Sequence, residues 1–333
     1  MIPFFCVYVN TAAAHNMYME KEIISTDLVI IGAGPAGMSA GIYALRAGIR
    51  PVILEKGIVG GQVYQSSTVE NYPGCPGITG AELSERFRGH LLSLGGEIDE
   101  FDFIERAELS DSEKRIVTEQ HIYEPTAVII ATGAVPKALP VKNEPKFRGK
   151  GIHYCAVCDG PAYRDRTVGV IGGGSAAAEE ALYLAGLAEK VLMIRRKDSF
   201  NAERAIIEKL ESTPNIEILY NTDLIETGGG DCLEYALVND VLTHEKRRIP
   251  LSAIFTYIGS SPQTDFLKKS VRLNQDGYIP TDEDMRTSVS GVFAAGDVRV
   301  KHYRQIVTAV SDGAVAALGA EKYITSMKVR NRP

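Results

Sequence analysis

The chain has 333 residues, 45% of them apolar and 23% charged, with a formal net charge of −6 and a pI near 5.6. That length exceeds one ordinary core and fits two domains, the composition is that of a soluble globular protein, and the acidic balance excludes an overall attraction to nucleic acid or an anionic membrane. Five cysteines, of which only two are closely spaced, exclude a secreted disulfide framework and point to the cytoplasm.

Ile2 to Val9 is an apolar run followed by Ala12 to Ala14. It lacks a basic segment before it and is short, so it is not a signal peptide, and no stretch approaches the roughly 18 apolar residues of a membrane helix. Residues 1–22 read as an N-terminal extension, with Met17 and Met19 as alternative starts. The β-branched run Thr26 to Ile31 predicts a strand. Gly32-Ala33-Gly34-Pro35-Ala36-Gly37 follows as a glycine turn, and the pattern Met38 to Ala47 predicts a helix. Glycines in this context let a pyrophosphate approach the free amides of a helix N-terminus. A second strand, Pro51 to Leu54, ends in Glu55, where a carboxylate can accept ribose hydroxyls. Together these mark a dinucleotide fold. Gly60-Gly61-Gln62 and Glu70-Asn71-Tyr72-Pro73-Gly74 read as cofactor wall, and Thr126 to Ile130 as a buried strand whose small end, Ala131-Thr132-Gly133, lets the backbone pass close to something flat. Pro136 through Pro140 to Pro145 is the expected crossing to a second domain.

Cys155-Ala156-Val157-Cys158-Asp159-Gly160 comes next. Two cysteines at this spacing can close a small disulfide ring and carry two electrons at a time. The alternative, half of a zinc site, needs four ligands, and neither a second Cys-x-x-Cys nor a paired His/Cys cluster is present, so no metal is expected. Cys6, Cys75 and Cys232 are isolated and read as small buried hydrophobes. Asp159 can serve as a general acid for a thiolate or as a helix N-cap.

Thr167 to Ile171 repeats the strand and Gly172-Gly173-Gly174-Ser175-Ala176-Ala177 repeats the turn; a helix is predicted from Ala176 to Ala188, and Lys190 to Ile194 forms the second strand. It ends in Arg195-Arg196-Lys197 instead of an acid. Guanidinium and ammonium groups there suit a ribose 2′-phosphate, so NADP is preferred over NAD. Gly172, Gly174, Ser175, Ala176, Glu179, Ile258 and Gly259 are the further candidate contacts to this coenzyme. Ile254 to Ile258 predicts a strand, Gly259-Ser260-Ser261-Pro262 the return crossing, Gly291 to Val298 a strand ending in an acid, and Arg304 to about Leu318 a helix. The fold class is therefore α/β, with two Rossmann-like three-layer nucleotide-binding domains, one inserted in the other.

From about residue 25 to 325, these motifs, together with Tyr303-Arg304-Gln305, resemble the low-molecular-weight, bacterial-type thioredoxin reductases. The resemblance implies a discontinuous FAD-binding domain over 23–137 and 266–328 and an NADPH-binding domain carrying the dithiol over 138–265. It implies FAD contacts from Gly296, Asp297 on the ribityl chain, and Arg304, Gln305 and Ile306 beside the isoalloxazine. It places Cys158 next to the flavin and Cys155 outward, and implies a homodimer, a large rotation of the inserted domain and thioredoxin as substrate. One departure is visible: the family's His-Arg-Arg, with a further arginine four residues on, stands here as Arg195-Arg196-Lys197 and Asn201, so NADH is a second possible donor. Other readings share part of the pattern. A flavin disulfide reductase for a peroxiredoxin or glutaredoxin-like partner would share every motif, a ferredoxin–NADP reductase would lack the dithiol, and a zinc module would be colourless.

Overall fold

The computed structural model describes residues 21–66, 69–267 and 270–330. Residues 1–20 of the N-terminal extension, with Cys6, Met17 and Met19, lie outside the described residues. The first strand starts earlier than expected, as β1 (Glu22–Ile31), and the preceding Lys21 is tied to Glu105 at 2.8 Å. Helix α1 (Pro35–Arg46) follows the glycine turn, then β2 (Val52–Glu55), α2 (Gly80–Ser93), β3 (Ile98–Glu100), β4 (Ile104–Leu109), β5 (Lys114–Thr118) and β6 (His121–Ile130). These strands form one sheet in the order β3-β2-β1-β6-β5-β4. Its centre is parallel because β1 and β6 are buried on both faces. Leu28 and Ile30 enter the core beneath α1, whereas Val29 and Ile31 enter the opposite core with Ile116 and Leu267, the alternation that a strand's period of two requires.

The chain then leaves through β7 (Ala134–Pro136) and α3 (Glu144–Phe147) and builds β8 (Ile152–His153), α4 (Ala156–Asp159), β9 (Thr167–Gly172), α5 (Ser175–Ala185), β10 (Lys190–Ile194), α6 (Arg204–Ser212) and β11 (Ile216–Leu219). An antiparallel sheet of β12 (Thr222–Gly228), β13 (Tyr235–Asp240) and β14 (Lys246–Pro250) precedes β15 (Ala253–Tyr257) and β16 (Ser260–Pro262). The second sheet, β11-β10-β9-β15-β8, is parallel throughout. Val168, Val170, Ala253 and Phe255 face α5, and Ile152 and Ile254 face Leu224 and Val238 of the antiparallel layer.

The chain returns through β16, which pairs antiparallel with β7, Ser261 opposite Val135. Both crossings therefore form one two-stranded ribbon. Strand β17 (Val292–Ala294) then adds in parallel to the end of β6, beside the first sheet, and α7 (Ile306–Arg330) packs on α1. The architecture is α/β, with the second sheet inserted between strands of the first. Two expectations need correction. The acidic segment after β17 is a turn of 3₁₀ helix, Gly296–Val298, because Gly296 takes a φ of +75° that ends the extended chain. Helix α7 runs to Arg330 and not to about Leu318. The helix continues through Gly319, whose bare Cα is needed where Phe293 packs, since a Cβ would stand 2.7 Å from that ring.

Candidate functional site

The first glycine turn joins β1 to α1 at the carboxyl ends of the parallel strands, where open α/β sheets bind ligands. Gly32 has a φ of +105°, with the Ala131 carbonyl only 2.5 Å from where its Cβ would be, and a Cβ on Gly37 would stand 1.8 Å from the Gly32 carbonyl oxygen. No side chain fits at either position, so the turn packs closely on the end of β6 and on itself, while a Cβ on Gly34 would meet open space. Gly34 caps α1 without a side-chain bond and Pro35 starts the helix, which leaves amides of the first turn free. Glu55 sits at the end of β2, its carboxylate accepting from the Ala33 amide at 2.8 Å and the Gly57 amide at 3.0 Å.

Other predicted residues gather at this turn. Gly61 and Gln62 open a 3₁₀ turn over Gly61–Gln65, and Gly61 lies against Gly34. Asn71 Nδ2 donates to Gln305 Oε1 at 3.1 Å. Thr132 Oγ1 donates to the Gln263 carbonyl, and the Gln263 amide donates to the Gly133 carbonyl. Gly296 packs beside Ala36, and its amide donates to Asp312. Ile306 is the first residue of α7.

Two polar atoms in this region are buried without a hydrogen-bond partner among the described residues: Asp297 Oδ1 and Arg304 Nε. Burial pushes the Asp297 carboxyl above its ordinary value although Lys301 and Arg304 pull the other way, while the Arg304 guanidinium lies 4.5 Å over the Tyr278 ring. Buried polar groups are normally paired. An orphaned acceptor and donor beside a glycine turn fit a polar, flat dinucleotide.

The second turn repeats the geometry. Tyr257 at the end of β15 pairs with Gly172, and Gly174 caps α5 ahead of Ser175 and Ala176. Asn201 donates its amide to the Gly173 carbonyl at 2.7 Å. Arg195 folds over Gly173, near enough that a Cβ there would touch its guanidinium, and donates from Nε to the Ser199 carbonyl. Arg196 projects, its side chain 75% exposed and 3.8 Å from Asp223, and Lys197 is exposed. Gly259 lies beside Lys137, whose amide bonds its carbonyl, and Ile258 packs on the core between the second sheet and the antiparallel layer. Glu179, on α5, reaches His302 across to the first fold at 3.8 Å.

Cys155 and Cys158 are closed as a disulfide at the single turn of α4. Cys155 Sγ accepts from the Cys158 amide at 3.1 Å, and the Ala156 amide donates to the Tyr257 hydroxyl at 2.7 Å. Cys155 therefore occupies the N-cap, and Asp159 makes no side-chain cap bond. Instead Asp159 Oδ2 lies 3.3 Å from His153 Nδ1, and His153 Nε2 is 2.7 Å from the Tyr163 hydroxyl. Burial raises the Tyr257 phenol, and Glu180 behind it, with an unpartnered buried Oε2, is raised by burial and then by Glu179. His153, Tyr163, Tyr257 and Glu180 escaped the sequence reading. Only β8 lying beside β15 brings them together, although His153 two residues before the first cysteine is a usable signal. Among the described residues, the one His/Asp group with metal-ligand spacing, Asp99, Asp102 and His121, contains neither cysteine. Cys75 is half-buried and packs against the cluster of Val63, Val69, Ile78 and Leu83, whereas Cys232 is exposed and is no core hydrophobe. Cys232 sits on a tight loop where Gly229 crowds its carbonyl and the neighbouring Leu233 takes the buried place.

Known proteins share this arrangement. The thioredoxin reductase of Ureaplasma parvum is 43% identical over 309 residues, covering 92% of this chain and 99% of its own. The crystal structure of thioredoxin reductase from Streptococcus pyogenes superposes with a TM-score of 0.85 at 37% identity, covering 91% of this chain and 99% of that one. That of Lactococcus lactis thioredoxin reductase in its FR conformation gives 0.63 at 38% identity, covering 90% and 99%. The family match spans residues 26–313, taking in both glycine turns and the disulfide between them. The chain belongs to the pyridine nucleotide-disulphide oxidoreductase family.

Proposed function

We propose that this protein is an NADPH-dependent flavoprotein thioredoxin reductase. The observation that carries the reading is the Cys155–Cys158 disulfide on the inserted fold, between two glycine turns that each lead a strand into a helix. Residues 23–137 and 266–328 hold FAD, with Asp297 and Arg304 meeting it through their orphaned atoms, and 138–265 hold the coenzyme. Bound there, FAD supplies the two-electron chemistry that connects a hydride donor to a disulfide.

The chain's own residues then act by thiol–disulfide exchange. Cys155, as thiolate, attacks the partner's disulfide; an S–S bond forms between the proteins, and one partner sulfur leaves and takes a proton. Cys158 attacks Cys155 Sγ, closing the enzyme disulfide and releasing the second partner thiol. Two electrons pass from the enzyme dithiol to the partner. Val157, exposed between the cysteines, leaves room for a protein to approach. The reading includes a homodimer, for which exposed Tyr43, Leu92 and Leu94 offer apolar contact, and a cytoplasmic site of action. No helix among the described residues is long and apolar enough to cross a membrane.

Purified protein is expected to be yellow, to bleach anaerobically with NADPH, and to reduce thioredoxin. Cys158→Ser should keep the colour and the bleaching but lose thioredoxin reduction. A colourless protein, or a Cys158→Ser variant that reduces thioredoxin at the wild-type rate, overturns the reading.

A further inference from the structure

The carboxylate beside the dithiol is not held by its own helix. Among the described residues, the side chain that reaches Asp159 Oδ2 is His153, at 3.3 Å, from a ring 7% exposed on the edge strand β8. A neutral imidazole carries one donor and one acceptor nitrogen. Burial, and then the charge of Asp159, push the Tyr163 phenol up to about 12, so its hydroxyl keeps its proton 2.7 Å from Nε2; an ionised Asp159 only accepts, which puts the ring proton on Nδ1 and makes Nε2 the acceptor of the Tyr163 hydroxyl. The ring cannot turn away, because Phe255 stacks on it at 5.5 Å with planes 28° apart and the Tyr163 ring flanks it at 5.2 Å. Strand register places His153 opposite Phe255. The Nδ1···Oδ2 approach lies at ion-pair distance without a formed hydrogen bond, as pairs in a resting site commonly do before the reacting state draws them together.

We propose that His153, oriented by Tyr163, is the positioning residue that holds the Asp159 carboxylate for proton exchange with the dithiol; this rests on the reading of the site as a thiol–disulfide exchange centre. In the step concerned, a disulfide bond opens as a thiolate attacks it. The attacking sulfur is oxidised, the leaving sulfur is reduced, and the leaving thiolate takes the proton of the Asp159 carboxyl. An O–H bond breaks, an S–H bond forms, and the charge left on Asp159 is met by His153 Nδ1–H. The other titratable groups near this pair are Tyr257 of β15, which bonds the Ala156 amide, Glu180 of α5, whose charge acts on Tyr257, and Cys232, whose charge acts on Tyr163. No hydrogen bond from these three to Asp159 is present.

The test is the pH profile of single-turnover exchange between holoenzyme, reduced with dithiothreitol and freed of excess reductant, and bis(2-hydroxyethyl) disulfide. It needs neither coenzyme nor thioredoxin, so it reads the proposal even where thioredoxin proves not to be the partner. Asp159→Asn identifies the limb that Asp159 sets. His153→Ala should move that limb up by about one pH unit, the worth of one hydrogen bond to a charged group, and slow exchange about ten-fold. His153→Asn, whose amide nitrogen falls near the place of Nδ1, should restore the limb, and Tyr163→Phe should move it the same way by less. With thioredoxin in steady state, the loss falls on kcat and not on KM. Equal slowing at every pH in His153→Ala, no restoration by asparagine, or a profile that Asp159→Asn leaves intact each overturns the proposal. Should His153→Ala lose its flavin on purification, Tyr163→Phe decides: a shifted limb supports the proposal and an unshifted one removes it.

Discussion

Asp297 places Oδ1 in the interior beside the first glycine turn with no hydrogen-bond partner among the described residues. Desolvation raises its carboxyl above the ordinary 3.8, outweighing Lys301 and Arg304. A raised folded value means that the native apoprotein binds the proton more tightly than the unfolded chain does. The stability this contributes is present below 3.8 and is lost as pH rises through the folded value. The apoprotein should therefore lose stability on the alkaline side of 3.8, and Asp297→Asn should flatten that slope. At neutral pH the variant's thermal midpoint should rise by a few degrees, because a buried unpaired charge is removed. Flavin retention should move the opposite way, weakening about ten-fold with the lost charged acceptor. Thermal scans of apoprotein across pH, with flavin titrations, check both. A variant that gains stability and holds flavin as tightly as wild type would mean that Asp297 faces no ligand.

At the scale of elements, the turn after β10 is where we propose that the coenzyme is chosen. Arg195 is committed to the glycine loop through Gly173 and the Ser199 carbonyl, whereas Arg196 is exposed and only 3.8 Å from Asp223, a surface pair worth little. Arg196 and Lys197 are thus free for a 2′-phosphate, where each charge-assisted contact is worth about 1.5–3 kcal/mol. Arg196→Ala should raise KM for NADPH about ten-fold and leave that for NADH nearly unchanged. Asn201→Arg should lower it, since Asn201 is held to Gly173 and Gly174 by its backbone and its side chain is free to change. Steady-state kinetics with both coenzymes decide; equal damage to both would make the turn a solvated surface.

At the scale of the whole molecule, the two folds are joined through the ribbon of β7 and β16. The two solved structures match this chain at nearly equal identity and coverage, yet one superposes at 0.85 and the other, in its FR conformation, at 0.63. We propose that a change in the relative placement of two otherwise similar folds produces that contrast, with the ribbon as the place where it turns. Glu179 and His302 meet across the folds at 3.8 Å. Bridging E179C/H302C with a short bifunctional thiol reagent should lower NADPH-driven turnover far below that of the same variant left unbridged. Full turnover in the bridged protein would show that no such rotation is needed.

The local grammar of this chain was legible in its residues. Strand, glycine turn, helix and terminal acid at 26–55, their repeat at 167–197 and the close cysteine pair each follow from contacts between near neighbours in sequence, so both nucleotide folds, the insertion of one in the other and the dithiol could be read directly. The length of α7 could not, because its continuation past Leu318 rests on packing, with Gly319 seated against Phe293. Nor could the surroundings of the dithiol. His153 touches Asp159, Tyr163 and Phe255 only because β8 lies beside β15, a pairing across about a hundred residues. Packing then holds an ordinary histidine against a tyrosine hydroxyl and within 3.3 Å of a carboxylate. Exposure of Cys232, the pairing of both crossings into one ribbon and the orphaned oxygen of Asp297 are likewise properties of packing, since each depends on which distant segment takes the neighbouring space.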